Sequence, residues 1–235
     1  MPADELDPEQ LARFRRYCQE YFNEEFRPGQ GTEQILDALA RHSTGGDWID
    51  LGCGPSTLFW SLVLTGVRSV SCADISSEAL QVLAEFVAGD QVPTCYRQVL
   101  AMYRRPPAHL AEMRRLIRHY YRFDVTRPWP PELAEAGFDL VTAFGIFGLS
   151  PSPAGYLGCF DHLRPHLRPG GRIIGGNWIR SQRLVELERH DNRYLTTGLA
   201  VEGIRRAGGE VLHCERVSIR GDPFYDAVIV WAAQV

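Results

Sequence analysis

Read for the spacing of its apolar positions, the chain opens with helical segments and then alternates apolar runs with amphipathic ones. Leu11, Phe14, Cys18 and Phe22 recur at helical spacing with Tyr17 and Tyr21 beside them, which predicts a helix from Leu11 to Phe26 ended by Pro28-Gly29. A second helix is expected from Thr32, an N-cap candidate, to Arg41, before Thr44-Gly45-Gly46 breaks the chain. From Trp48 the pattern changes. Trp48 to Leu51, Ser69 to Ala73, Phe138 to Phe144 and Arg172 to Gly175 read as strands, the last entered through Pro169-Gly170-Gly171. Ser56 to Leu64, Ser77 to Val87, Ala154 to Leu167 and Leu199 to Arg206 read as helices between and after them. Two final strands, Glu210 to Ile219 and Tyr225 to Ala233, follow without a helix between them. Such alternation predicts an α/β fold with a mostly parallel sheet and helices on both faces, and the closing pair predicts one antiparallel strand near an edge. Two stretches stand outside the alternation. Residues 89–121 carry Arg104-Arg105-Pro106-Pro107 and a helix through Leu110, Met113, Leu116 and Ile117, and residues 178–197 form a second insert. Inserts of this length usually shape a ligand crevice.

Composition narrows the class. At 235 residues with 45% apolar and 23% charged content, the chain is expected to be one generous domain with a full core, not a disordered protein. No run of 18 apolar residues and no charged-then-apolar leader occurs, so neither a membrane span nor a secretory signal is expected. The formal charge of −4 comes from 25 basic and 29 acidic residues, every basic one an arginine; that bias reads as a GC-rich genome, and no positive field points to nucleic acid. The run Arg104, Arg105, Arg114, Arg115, Arg118 and Arg122 is interleaved with apolar positions and reads as a solvated amphipathic face. Six scattered cysteines without a C-x-x-C pair suggest a reducing cytoplasm and no metal. His162 and His166, four apart on the expected helix, read as a solvated face.

The chemistry concentrates in Asp50-Leu51-Gly52-Cys53-Gly54-Pro55-Ser56, between a strand and a helix. Glycines there let the backbone turn tightly and approach a ligand. Where a dinucleotide loop has its third glycine this chain has Thr57, so the phosphate-binding extension is missing. Asp74 ends the next strand about twenty residues on, placed to accept from both hydroxyls of a ribose. Asp124, in Phe123-Asp124-Val125-Thr126 at a further strand end, suits an adenine amino group, with an apolar residue beside it for the ring. A glycine loop without phosphate chemistry, a ribose acid and an adenine acid together describe S-adenosylmethionine.

These residues resemble the class I, Rossmann-like methyltransferases, and more narrowly the nicotinamide, phenylethanolamine and thioether (indolethylamine) N-methyltransferase family. Tyr17-Cys18-Gln19-Glu20-Tyr21-Phe22 resembles that family's N-terminal lid helix, and Asp50 to Pro55 its glycine loop, proline included. Asp74-Ile75-Ser76 resembles its ribose acid, Phe123 to Thr126 its adenine motif, and Leu167-Arg168-Pro169-Gly170-Gly171 the turn before its fifth strand. The resemblance implies a seven-stranded mostly parallel sheet with one antiparallel strand, a helical lid over residues 1–45 and a methyltransferase domain over 46–235. It implies cofactor contacts from Tyr17, Tyr21, Asp50, Gly52, Gly54, Pro55, Thr57, Asp74, Ile75, Asp124, Val125 and Phe144. Four positions depart from the family: Ile75 and Ala79 replace a Tyr and an Asn near the ribose, Asn177 replaces an acid near the acceptor, and Leu184 replaces a tyrosine.

The acceptor is expected between the lid, Phe144 to Ser150, and the segment after Asn177, where Phe147, Asn177, Trp178 and Tyr194 would hold a small aromatic molecule. His190, beside Asp191, is the candidate base, and Tyr21 a second candidate catalytic residue. Methyl transfer needs alignment and exclusion of water more than acid–base chemistry. An amine, phenol or aromatic amino-acid derivative fits, in the secondary metabolism, such as antibiotic biosynthesis, of a GC-rich bacterium. An RNA or nucleobase methyltransferase would show a basic face or an Asn/Asp-Pro-Pro-aromatic motif, of which Asn177-Trp178 is the nearest remnant. A non-catalytic cofactor-binding regulator would be expected to lose the glycines or Asp74.

Overall fold

The computed structural model describes residues 6–133 and 137–235 of the chain. In chain order the elements are α1 (Pro8–Phe22), α2 (Thr32–His42), β1 (Gly46–Leu51), α3 (Thr57–Trp60), β2 (Val67–Asp74), α4 (Ser77–Ala88), α5 (Thr94–Met102) and α6 (Ala108–Leu116). Then follow β3 (Ile117–Arg122), β4 (Phe138–Phe144), α7 (Pro153–Asp161), β5 (Leu167–Arg180), α8 (Gln182–Glu188), α9 (Thr197–Arg206), β6 (Glu210–Ser218) and β7 (Tyr225–Gln234). Helix starts follow local chemistry. Asp7, Ser76, Ser152, Ser181 and Thr196 each accept a hydrogen bond from a backbone N–H two or three residues on, capping α1, α4, α7, α8 and α9.

The strands form one seven-stranded sheet in the order β3-β2-β1-β4-β5-β7-β6. The pairs from β3 through β5 are parallel, and β7 runs antiparallel to both β5 and β6. Successive side chains alternate between the two faces, so Trp48 enters one core and Ile49 the other. The first core packs Trp48, Val70 and Ile174 against α2, α3, α4 and α5; the second packs Ile49, Val141 and Ile173 against Phe147, Phe160 of α7 and Ile204 of α9. The chain leaves β1 toward β2 on one side and returns from β3 to β4 on the other. The order therefore reverses between β1 and β4, where an open α/β sheet has its ligand crevice.

Several expectations change in detail. The helix expected over Ser56 to Leu64 is a four-residue α3 followed by a single tight turn, Ser61–Val63. Residues 89–121 are not an appendage, because they supply α5, α6 and the edge strand β3, and residues 178–197 hold the end of β5 and the short α8. The helix expected to Leu167 stops at Asp161, and Pro165 falls in a separate turn. His166 is consequently not on a solvated helix face: it is buried and stacks on Trp129 at 4.1 Å and 7°. Helix α2 is core structure, with Ile35, Leu36 and Leu39 fully buried. By contrast α1 buries only Phe22, and crosses α4 through the Arg15–Glu85 ion pair at 3.0 Å.

At the far end of the sheet from the crevice, Asp47 and Asp139 share Arg68 and Arg168. All four carboxylate–guanidinium contacts lie between 2.6 and 2.9 Å. The Arg68 hydrogen bond, with Arg168 and Ser69 in support, holds the Asp47 carboxyl well below the usual carboxylate range. This network ties β1, β2, β4 and β5 together where no ligand is expected.

Candidate functional site

The glycine loop leaves β1 at the reversal point. Gly52 and Gly54 have φ of +59° and +50°, a region that disfavours any side chain. A Cβ at Gly52 would run into Ile146, whereas Gly54 faces open space with nothing within 4 Å. The loop is held from both ends. Cys53 N–H donates to Ala73 O at 3.0 Å, and Gly54 N–H donates to Asp74 Oδ2 at 2.8 Å. Ser76 N–H donates to Asp74 Oδ1 at 2.9 Å. Asp74 is thus fixed by two backbone donors while each oxygen keeps accepting capacity. Burial raises its carboxyl above the ordinary value against the pull of those N–H groups. Beside it Ile75 is 60% exposed, an apolar side chain left outside both cores.

Asp50 and Thr57 lie beneath the loop. Asp50 is 1% exposed and accepts from the Thr57 hydroxyl at 2.7 Å and the Thr142 hydroxyl at 2.6 Å. The Thr142 oxygen in turn accepts from Trp48 Nε1 at 2.8 Å. Burial pushes the Asp50 carboxyl up to about 7, the two hydroxyls opposing the shift. Thr57 at the third-glycine position is fully buried, and α3 is too short to present an N-terminus to a pyrophosphate. The loop therefore fits a ligand without phosphates.

After β3, Asp124 forms a local turn, accepting from Thr126 N–H at 2.9 Å and its hydroxyl at 2.6 Å. Burial works against its charge, but Thr126 and Arg127 outweigh it and hold the carboxyl below its ordinary value. Val125 is buried beneath it. Pro55 is buried in the loop and lines a separate, open cleft of ≈ 530 Å³ between α1, α4 and α5.

A second cavity, of ≈ 180 Å³, opens beside the glycine loop and is lined by Tyr17, Tyr21, Phe59, Trp60, Phe144, Trp178, Phe224 and Tyr225 among others. Trp60 and Phe144 lie 4.7 Å apart, Tyr17 and Tyr21 4.9 Å, and Trp178 and Tyr225 6.4 Å. Trp178 Nε1 donates to Gln30 O at 2.8 Å, which ties the α1–α2 connection to β5. Four of the residues expected near cofactor and acceptor, Tyr17, Tyr21, Phe144 and Trp178, thus come together.

Others do not. Phe147 is fully buried in the second core against Phe160 and Trp231. Asn177 is buried and accepts from Tyr156 OH at 3.3 Å. Tyr194 OH donates to Ser150 O at 2.6 Å, and His190 Nε2 sits 3.3 Å from Gly148 O. None of these four lines the cavity. Of the segment 178–197 Trp178 lines the cavity, and the rest of the wall expected there is supplied by Ile219, Asp222 and Phe224 of the β6–β7 connection and Tyr225 at the start of β7. Gly221-Asp222-Pro223 announces a turn in the sequence, but not which way its neighbours face. Among the described residues no group of three His, Cys, Asp or Glu is placed to hold a metal ion.

Sheet order, reversal point and glycine loop define the Rossmann-like methyltransferase fold. No protein-family model and no curated protein matches the chain. Solved structures match its fold. The [4+2]-cyclase SpnF aligns with a TM-score of 0.60 at 13% identity, over 95% of this chain and 92% of that one. The N-methyltransferase NodS from Bradyrhizobium japonicum WM9, in complex with S-adenosyl-L-homocysteine, aligns at 0.58 and 10% identity over 96% of both chains. A SAM-dependent methyltransferase from Aquifex aeolicus aligns at 0.56 and 13% identity over 98% of this chain and all (100%) of that one. At these identities the likeness is one of fold.

Proposed function

We propose that the chain is an S-adenosylmethionine-dependent methyltransferase acting on a small aromatic molecule. The observation that carries this reading is the loop–acid unit at the adjacent C-terminal ends of β1 and β2: an open Gly54, an Asp74 fixed by Gly54 and Ser76 N–H groups, and an exposed Ile75. In this reading Asp74 accepts from the ribose hydroxyls, Ile75 packs on the adenine, Val125 anchors the adenine turn in the core, and Asp124 accepts from the adenine amino group. Gly52 and Gly54 let the backbone approach, with Asp50, Thr57 and Pro55 fixing the loop from below. Tyr17, Tyr21 and Phe144 border the junction between cofactor and acceptor. When bound, the cofactor supplies a methyl group already activated by its sulfonium.

The protein's own task is then to hold the acceptor in line and keep water out. The aromatic walls and the mostly exposed α1 suit that task, with α1 as the covering element of residues 1–45. Net charge and the aromatic cavity favour a small-molecule acceptor over nucleic acid, and six free cysteines suit a reducing cytoplasm; a secondary-metabolic setting belongs to the same proposal. Kinship with the nicotinamide and phenylethanolamine type of N-methyltransferase belongs to the same proposal. The SpnF likeness supports one second reading, a cofactor-fold protein that catalyses a reaction other than methyl transfer. Incubation with methyl-labelled cofactor and an aromatic panel tests both. Label in a product supports methyl transfer; a product formed without label supports the second reading.

A further inference from the structure

The aromatic cavity has an unbalanced polar inventory. Its acid, Asp222, is already committed: Oδ1 accepts from Phe224 N–H at 2.7 Å and Tyr225 N–H at 3.0 Å. Asp222 Oδ2 accepts from Gln30 Nε2 at 3.5 Å. Its cation, Arg27, is exposed at the rim and makes no ion pair or side-chain hydrogen bond among the described residues. Three phenols, Tyr17, Tyr21 and Tyr225, also border the space with hydroxyls that make no hydrogen bond among the described residues. The cavity therefore offers donors in excess, one of them charged, and its single carboxylate is turned to the β6–β7 connection. At ≈ 180 Å³ it is slightly larger than the about 150 Å³ that holds a benzene ring, so it suits one substituted ring.

We propose that this cavity binds an aromatic carboxylate, with the ring against the aromatic wall that Trp60, Phe144 and Trp178 line and the carboxylate paired with Arg27. A planar guanidinium matches a carboxylate with two parallel N–H donors, and phenol hydroxyls complete its shell. This rests on the acceptor reading above. The carboxylate has two sources, the acceptor or the amino-acid end of the cofactor, and the experiment separates them.

A panel of single-ring aromatic acids, from benzoate and 4-hydroxybenzoate to 4-hydroxyphenylacetate, is titrated beside the matched primary amides by ligand-observed NMR, without cofactor. At least one acid is expected to bind, at least tenfold more tightly than its amide. Arg27→Gln is expected to remove that preference and Arg27→Lys to restore part of it, while S-adenosyl-L-homocysteine affinity stays within twofold in both variants. Equal binding of acids and amides, a preference that survives Arg27→Gln, or no acid bound at all overturns the inference. So does a tenfold loss of S-adenosyl-L-homocysteine affinity in Arg27→Gln without any acid preference, because the guanidinium then serves the cofactor. If the acids bind through Arg27 but S-adenosyl-L-homocysteine does not bind, this inference stands and the methyltransferase reading falls.

Discussion

Asp50→Asn probes the part of the site buried deepest. The Asp50 carboxyl titrates at about 7 because it is 1% exposed and has only two hydroxyl donors against the cost of burial. In the unfolded chain it titrates at about 3.9. Between these values the folded protein keeps a proton that the unfolded chain has released. The stabilising proton is fully held below the unfolded value, and stability falls as pH rises toward about 7, then levels. At about 1.4 kcal/mol per pH step, wild-type protein should lose at most about 3 kcal/mol between pH 5 and pH 8 through this group. Asparagine is neutral throughout, so Asp50→Asn should lack that loss and become the more stable protein at pH 8 relative to pH 5. Urea unfolding followed by tryptophan fluorescence at the two pH values measures it, with the wild-type-minus-variant difference cancelling every other titration. Parallel pH profiles within about 0.5 kcal/mol would show that Asp50 is ionised in the folded protein and that the burial argument fails.

Asp74→Ala should weaken S-adenosyl-L-homocysteine binding by about 2–4 kcal/mol, because two ribose hydroxyls would lose a charged acceptor. Calorimetry giving a loss under about half a kcal/mol would remove Asp74 from the ribose site. Asp47→Ala leaves Arg68 and Arg168 with Asp139 alone, and should lower stability by about 1–3 kcal/mol without changing ligand affinity. Because the Asp47 carboxyl is depressed, that difference should be present at neutral pH and shrink as pH falls through its low folded value; a gap that widens in acid contradicts the network. Deleting residues 1–22 removes α1 and the Phe22 contact with Phe59 at 4.9 Å, which should cost about 2–3 kcal/mol of burial. The truncated protein should keep a folded sheet, as read by circular dichroism, and lose turnover by orders of magnitude; full activity would sink the covering role of α1.

The sheet was legible because buried parallel strands read as mostly apolar runs closed by Gly or Asp: Phe138–Phe144, with only Asp139 and Thr142 polar, has the same bounds in sequence and structure. The edge strand β3 was less legible. Arg118, His119 and Arg122 are exposed on a strand buried mainly at Ile117, so the run looked like the end of an arginine-rich helix. At the site, local motifs carried through, since Gly54 and Asp74 meet across twenty residues of one β–loop–β unit. The acceptor wall did not, because it depends on which distant connection folds over β5. His190 sits in a polar run that suggests a free base, yet its ring faces the Gly148 carbonyl, a contact 42 residues away that no spacing reveals. The resemblance implied a lid reaching residue 45, but the helical stripe Ile35, Leu36 and Leu39 that reads as amphipathic is the part of α2 that packs in the core.

The most direct measurement is calorimetric titration of the purified protein with S-adenosylmethionine, S-adenosyl-L-homocysteine and NAD. The account predicts micromolar binding of the first two, roughly −8 kcal/mol, and none of NAD, since the loop lacks a phosphate cradle. Binding of NAD without either adenosyl ligand would contradict it.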